Sequence, residues 1–140
     1  MKIYIAGKIC EESERTQLER VAKMCESLGH TTFLPHRDIG LAKSIHDADK
    51  IFQGDIVNGF EDVSLVVAVL DGLHVGAGTA WELGYAYAKA IPAIGLKTDE
   101  PIANALDSLS AILIASMPIV TSFEELKEKI KQYLQDNPQA

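Results

Sequence analysis

The sequence is poor in several residue types, and each shortage excludes a class of protein. It has only two cysteines, Cys10 and Cys25. Their spacing is not that of metal ligands, and two cysteines can form at most one disulfide, so we expect reduced thiols. No apolar run approaches the roughly 18 residues of a membrane span, and the first residues, "MKIYIAGKIC", turn polar too early for a signal peptide. We therefore expect a soluble cytoplasmic protein with no membrane partner, no metal and no cofactor.

Positive charge is also scarce. The chain has 13 Lys and Arg against 20 Asp and Glu, which gives a net charge of −7 and a sequence pI near 5.0. The basic residues are scattered and often lie next to acids, as in "SERTQLERVAK". No basic stripe indicates a nucleic-acid partner. A small ligand that carries phosphate stays possible, because a few local groups decide its binding.

The remaining composition is that of an ordinary globular domain. The 140 residues are 47% hydrophobic and 24% charged, which is enough for one domain with a proper core. We expect this domain to span residues 1–135 and the last residues, 136–140, to form a frayed tail.

Short apolar runs alternate with amphipathic stretches along the chain. The runs "KIYIAG", "TTFLP", "SLVVAVLD", "PAIGL" and "MPIVT" predict five strands, and the third is apolar throughout, as in a strand buried on both faces. Helices are predicted between them, including one in "SIHDADKIFQGDIVNGFEDV" with apolar residues at Ile45, Ile51, Phe52, Ile56 and Phe60. This alternation predicts an α/β, doubly wound domain with a five-stranded parallel sheet in the flavodoxin-like order 2-1-3-4-5.

In such sheets, ligands bind beyond the carboxyl ends of the strands, where the strand order reverses. With the predicted order, the first and third strands flank that crevice. The residues that follow them are "AGKIC", which contains Gly7 and Lys8, and "DGLHVGAGTAWE", which ends at Glu82.

Glu82 has two interpretations. Thr79 and Glu82 match a capping box, with Thr79 as N-cap and Glu82 at the third helical position. Alternatively, Glu82 is a nucleophile at the crevice, because three glycines in the preceding loop let a ligand approach the backbone. Tyr4 and Asp55 are potential partners, since one carboxylate that attacks the anomeric carbon and a second carboxyl that protonates the leaving group together cleave glycosidic bonds.

The segments "KIYIAG", "FQGDIVNGFEDVSLVVAVLDG" and "GAGTAWELGYAYA" resemble the nucleoside 2-deoxyribosyltransferase family, which includes the 2'-deoxynucleoside 5'-phosphate N-hydrolases. The resemblance implies that Glu82 forms a covalent 2-deoxyribosyl ester and that Tyr4 orients it. It implies that Asp55 protonates the leaving base. Asn104 roughly matches an asparagine lent by a neighbouring subunit, so we expect a homo-oligomer.

The sequence departs from the family in the loop before Glu82. Many relatives carry an aspartate there that holds the sugar hydroxyls, whereas residues 74–79 read "HVGAGT" and contain no acid. His74 and the backbone amides of Gly76 and Gly78 would suit an anion, and Lys8 lies where it would meet a phosphate or be solvated. The 5' end of the substrate is therefore either a hydroxyl or a phosphate.

His36, in "FLPHRD", follows the second strand, where it either lines the base pocket or lies on a surface loop. Trp81 is expected to pack in the core or at an interface.

Three functions follow from these expectations. The first is transfer of 2-deoxyribose from a 2'-deoxynucleoside to another nucleobase. The second is hydrolysis of 2'-deoxynucleoside 5'-monophosphates to the free base. The third, from another class, is a nucleotide-binding module that has lost turnover. In each case the partners are small molecules, namely a deoxynucleoside or deoxynucleotide and a free nucleobase.

Overall fold

The computed structural model describes all 140 residues. Its five strands are β1 (Lys2–Ala6), β2 (Thr31–Phe33), β3 (Val63–Val69), β4 (Ala93–Leu96) and β5 (Ile119–Val120). All pairings are parallel and the order is β2-β1-β3-β4-β5. The predicted α/β doubly wound fold is confirmed.

The α-helices are α1 (Glu12–Ser27), α2 (Pro35–Asp38), α3 (Ala48–Phe52), α4 (Ala77–Ala88), α5 (Leu106–Ser116) and α6 (Phe123–Asp136). A π-helix, Gln53–Asn58, continues α3 directly, and short 3₁₀ turns lie at Ile45–Asp47 and Ile102–Asn104. Ser110 has a φ of 70°, which interrupts α5. None of the helices combines the length and the hydropathy that a membrane-spanning segment needs.

The sheet is buried on both faces, and alternate residues of β1 contribute to two separate cores. Ile3 and Ile5 pack under α1 and α6, where Leu18 and Ile130 are also buried. The intervening Tyr4 and Ala6 belong to the opposite core, together with buried side chains of the π-helix, α4 and α5. Because successive side chains of a strand point to opposite faces, Tyr4 necessarily faces the side of the sheet that α4 covers.

The segment predicted as the second helix is less regular than its apolar spacing indicates. Ile45, expected on the buried face, lies in a 3₁₀ turn and is 83% exposed. The chain reaches the core only in the π-helix, where Ile56 is buried, and just beyond it, where Phe60 is buried. The expectation that Ile45 packs with these residues is therefore wrong.

Candidate active site

A cavity of about 610 Å³ lies beyond the carboxyl ends of β1 and β3. Its walls are the loop after β1, the α3 and π-helix segment, and the first two turns of α4. Glu82 and Asp55 both line it. The volume lies in the range of sites that bury a small ligand. This is the crevice that the strand order predicts.

Tyr4 lies beneath the cavity in the middle of β1 and is fully buried. Its ring is stacked between Phe60, at a centroid distance of 4.1 Å, and Phe33, at 5.3 Å. Its hydroxyl group donates a hydrogen bond to Oε2 of Glu82. Burial and the charge of Glu82 raise the pKa of Tyr4, so the hydroxyl keeps its proton and acts as a donor.

Glu82 does not form the predicted capping box. Helix α4 begins at Ala77 with Gly76 as its N-cap, so Thr79 is already inside the helix and is buried. Glu82 is therefore one turn further along than the N-terminal positions whose side chains can reach the cap residue. Its carboxylate instead contacts Tyr4, at the wall of the cavity. The structural interpretation of Glu82 as a cap is wrong.

Asp55 lies in the π-helix and is 8% exposed. Its Oδ1 atom is buried and has no hydrogen-bond partner. A buried carboxyl oxygen without a donor is costly, and a catalytic role is one of the reasons for which proteins retain such groups. The π-helix itself is a rare local geometry that is often found at functional sites.

The two carboxyl groups influence each other in a poorly solvated space. Burial raises the pKa of Glu82 to about 7, which the charge of Asp55 also favours and the hydrogen bond from Tyr4 opposes. Burial raises the pKa of Asp55 to about 6. Near neutral pH the pair therefore exchanges protons readily, as acid–base catalysis requires.

The loops beside these carboxyl groups are tightly packed. A Cβ atom on Gly7 would lie 2.6 Å from Cδ2 of the buried Leu18, so a larger residue here would displace that side chain. The side chain of Lys8 crosses the loop after β3, where a Cβ on Gly76 would lie 2.9 Å from its Cγ. Gly7, Lys8, Gly76 and Gly78 all line the cavity. Nothing lies within 4 Å of a Cβ built on Gly78, so the helix N-terminus is open there.

Lys97, at the end of β4, is a fully buried lysine that the sequence analysis missed. Its ammonium group donates to the carbonyl oxygens of Leu70 and Gly72, each at 3.3 Å, and lies 2.8 Å from Oδ1 of Asp99. It thereby fixes the start of the loop that leads to α4. In the sequence, "GLKTDE" has the appearance of a solvated turn, and no signal indicates this role.

Three of the predicted binding residues do not line this cavity. His36 lies 2.9 Å from Oε1 of Glu19, although the neighbouring Pro35 does reach the cavity wall. His74 lines a separate groove of about 750 Å³ between α4 and α5. Asn104 is exposed in the 3₁₀ turn before α5. Within a single chain, therefore, the structure brings together Glu82, Asp55 and Tyr4. It does not bring His36, His74 or Asn104 to the same cavity.

Two aromatic residues at the mouth of the cavity were not predicted to belong to the site. Phe52 and Trp81 both line it, and Trp81 is 50% exposed, not in the core. The sequence signal that could have placed Trp81 in the site is its position directly before Glu82, the predicted nucleophile.

Comparison with known proteins identifies the family of this chain. The sequence model of the nucleoside 2-deoxyribosyltransferase family matches residues 3–136, so the chain belongs to this family. A comparison with curated protein sequences gives no match.

Among solved structures, a conserved protein from Enterococcus faecalis V583 is 28% identical, with a TM-score of 0.78, and the match covers 96% of this chain and 99% of that one. A 2-deoxyribosyltransferase from Bacillus psychrosaccharolyticus is 21% identical, with a TM-score of 0.73 and coverage of 91% and 90%. A CMP N-glycosidase from Clostridium botulinum is 18% identical, with a TM-score of 0.54 and coverage of 94% and 99%. The last two similarities concern the fold.

Proposed function

We propose that this protein cleaves the N-glycosidic bond of 2'-deoxyribonucleosides through a covalent 2-deoxyribosyl ester on Glu82 and transfers the sugar to another nucleobase. One observation supports this proposal above all. Tyr4, Glu82 and Asp55 converge on one cavity, with Glu82 held by a hydrogen bond and Asp55 left with an unpaired oxygen.

In the first half of the reaction, a carboxylate oxygen of Glu82 bonds to the anomeric carbon. The bond from that carbon to the base nitrogen breaks, and its electron pair stays on the base. Asp55 delivers its proton to the base, which leaves as a neutral molecule. Tyr4 keeps the attacking carboxylate in one orientation, which lowers the entropy cost of reaching the transition state.

In the second half, a new nucleobase enters the position of the first. One of its nitrogens attacks the anomeric carbon, the ester bond to Glu82 breaks, and the proton of the incoming base returns to Asp55. The pKa of about 6 that burial gives Asp55 suits both directions, because the group gains and loses a proton near neutral pH.

The walls of the cavity favour a base over water as the acceptor. Ile51, Phe52 and Ile56 line the side from which Asp55 projects, and Trp81 lies next to Glu82. Apolar walls exclude water and accommodate a flat heterocycle, which protects the ester until an acceptor base arrives.

Hydrolysis of 2'-deoxynucleoside 5'-monophosphates is the second candidate, and a specific observation favours it. Helix α4 starts at the cavity with no side-chain cap on its N-terminal amides, and residues 72–76 before it contain no acid. Lys8 lines the same cavity, with Glu14 as a distant ion-pair partner at 3.9 Å. Free amides and a lysine together suit a phosphate group.

We also propose that the protein acts as a homo-oligomer. Asn104 lies outside the cavity of its own chain, so the role implied by the family resemblance requires a neighbouring copy. His36 and His74 remain predicted ligand contacts that this chain alone does not bring to the cavity.

A chromatographic assay tests the proposal. The protein is incubated with 2'-deoxycytidine or 2'-deoxycytidine 5'-monophosphate, each with and without free adenine. Formation of 2'-deoxyadenosine that depends on adenine supports transfer, whereas cytosine release from the monophosphate without adenine supports hydrolysis. Tight binding with no base release, across purine and pyrimidine substrates, would identify a binding module and refute the proposed activity.

A further inference from the structure

Two half-exposed aromatic side chains stand at the mouth of the active-site cavity. Phe52 is 46% exposed and Trp81 is 50% exposed, and both line the cavity. Their ring centroids are 5.9 Å apart and their planes meet at 77°, so the rings form a corner. Apolar surface that stays hydrated in the empty protein gains free energy when a ligand covers it.

The corner is held in place from behind. The indole of Trp81 stacks on Tyr85 at 5.5 Å, with an interplanar angle of 12°. Tyr85 contacts Phe60 edge to face at 5.0 Å, and Phe60 stacks on Tyr4. A side chain that its neighbours already fix loses little conformational entropy when a ligand binds, so this surface is preorganised.

The position of the corner matches the position of the base in the proposed reaction. Trp81 immediately precedes Glu82, which meets the anomeric carbon, and Phe52 precedes Asp55 by three residues on the same helical segment. Because Phe52 and Trp81 line the same cavity as Asp55 and Glu82, a base that joins the anomeric carbon and receives a proton from Asp55 occupies the space that both rings border.

We propose that Phe52 and Trp81 form the stacking surface that binds the ring of the departing and the incoming nucleobase. This inference rests on the proposed function of the cavity. Stacking accepts any aromatic heterocycle, because every base has a π-face. The surface therefore binds purines and pyrimidines alike.

Binding can be measured without turnover, because Trp81 is the only tryptophan in the chain. In the Glu82→Gln variant, titration with 2'-deoxyadenosine, adenine or cytosine should quench tryptophan fluorescence in a saturable way. Free 2-deoxyribose, which has no aromatic ring, should leave the emission unchanged. This readout does not depend on catalysis. The fluorescence test can therefore fail while the proposed function holds, and base binding can be observed even if the proposed function is wrong.

Kinetics give the second test. Trp81→Ala should raise KM for the donor nucleoside roughly tenfold, the effect of losing one base–aromatic stack, and change kcat less than about threefold. Trp81→Phe should restore most of the lost affinity, which a purely structural role would not predict. Val57→Ala is the matched control, since Val57 is equally exposed on the π-helix but does not line the cavity, and its KM should equal that of the wild type.

Two results would overturn the inference. One is an unchanged KM in Trp81→Ala, together with no quenching by any base. The other is tryptophan emission that changes when the protein is diluted but does not respond to bases, which would show that a second copy covers the aromatic corner.

Discussion

Tyr4 and Glu82 lie 78 positions apart in the sequence and meet in a hydrogen bond that the phenol donates to the carboxylate. The donor is fixed in the sheet by stacking on Phe33 and Phe60, so it cannot follow a carboxylate that moves. Glu82 is therefore held at one point at the edge of the cavity.

We expect Tyr4→Phe to slow cleavage of 2'-deoxynucleosides by roughly tenfold to a thousandfold, the range for losing one positioning hydrogen bond. The phenylalanine ring still packs against its aromatic neighbours, so the thermal midpoint should change little. Steady-state kinetics and a melting curve measure the two effects. Tyr133→Phe is the matched control, because its hydroxyl donates to the carbonyl of Ser64 and does not line the cavity. A Tyr4→Phe enzyme as fast as that control would remove the proposed role of Tyr4.

The pH dependence of stability should reveal the buried carboxylate. Burial raises the pKa of Glu82 to about 7 in the folded protein, above its ordinary value of 4.5. The folded state then binds more protons than the unfolded state between these pH values, so this group reduces stability as the pH rises through that window. Glu82→Gln, which cannot ionise, should be more stable than the wild type by about 1–3 kcal/mol at pH 8 and by much less at pH 4.5. Urea unfolding at both pH values measures this difference, and a stability gap that is largest at pH 4.5 would contradict the assignment.

The pH dependence of the rate should reveal the pair. Glu82 must be ionised to attack and Asp55 must be protonated to release the base, so the active form carries the pair's one proton on Asp55. The higher pKa of Glu82 places that proton on Glu82 more often, so the active form is the minor of the two one-proton forms. With pKa values of about 6 and about 7 for Asp55 and Glu82, kcat/KM should follow a bell-shaped curve with its maximum near pH 6.5.

Asp55→Asn should reduce the rate by roughly a hundredfold to ten-thousandfold, because the amide cannot protonate the base. The alkaline limb of the curve should disappear in this variant. The exposed carboxylate of Glu61 supplies the control, and Glu61→Gln should keep the full curve. A bell shape that survives in Asp55→Asn would show that another group is the acid.

The fold was predictable because its strands are short apolar runs that end at proline, glycine or polar residues. Residues 65–70 of the run "SLVVAVLD" are buried, and α6 begins at a serine N-cap, where Ser122 accepts a hydrogen bond from the backbone of Glu125. The motifs around Tyr4, Glu82 and Asp55 predicted these residues as candidates for one site, and the structure brings the three together.

Local geometry was not predictable to the same degree. The spacing of apolar residues around Asp55 fits one continuous α-helix. It fits equally well the observed succession of a 3₁₀ turn, an α-helix and a π-helix, because each of these places residues three to five positions apart on one side. The start of α4 at Ala77 depends on how the loop is held by Lys97, which pairs with residues distant in sequence. The directions of His36 and His74 depend on such tertiary contacts too.

Helix α5 should mediate self-association. Leu106 and Ile112 lie on either side of the break at Ser110 and are 59% and 78% exposed, and exposed apolar surface of this kind often marks an interface. We expect light scattering at micromolar concentration to give an oligomer, and Ile112→Glu to dissociate it and reduce activity. Ile45→Glu places the same charge on a similarly exposed isoleucine outside α5 and should leave the oligomer intact. A wild-type monomer would contradict both the interface and the role of Asn104.

The proposed bond between Glu82 and the sugar is the step from which the other assignments follow, and mass spectrometry can detect it directly. The protein is mixed with a 2'-deoxynucleoside without acceptor base, quenched in acid within one turnover and measured intact, then digested. We expect a mass increase of one 2-deoxyribosyl group, located on the peptide that contains Glu82, and no increase in Glu82→Gln. Release of base with no adduct at any quench time, or an adduct on a different residue, would contradict the covalent mechanism.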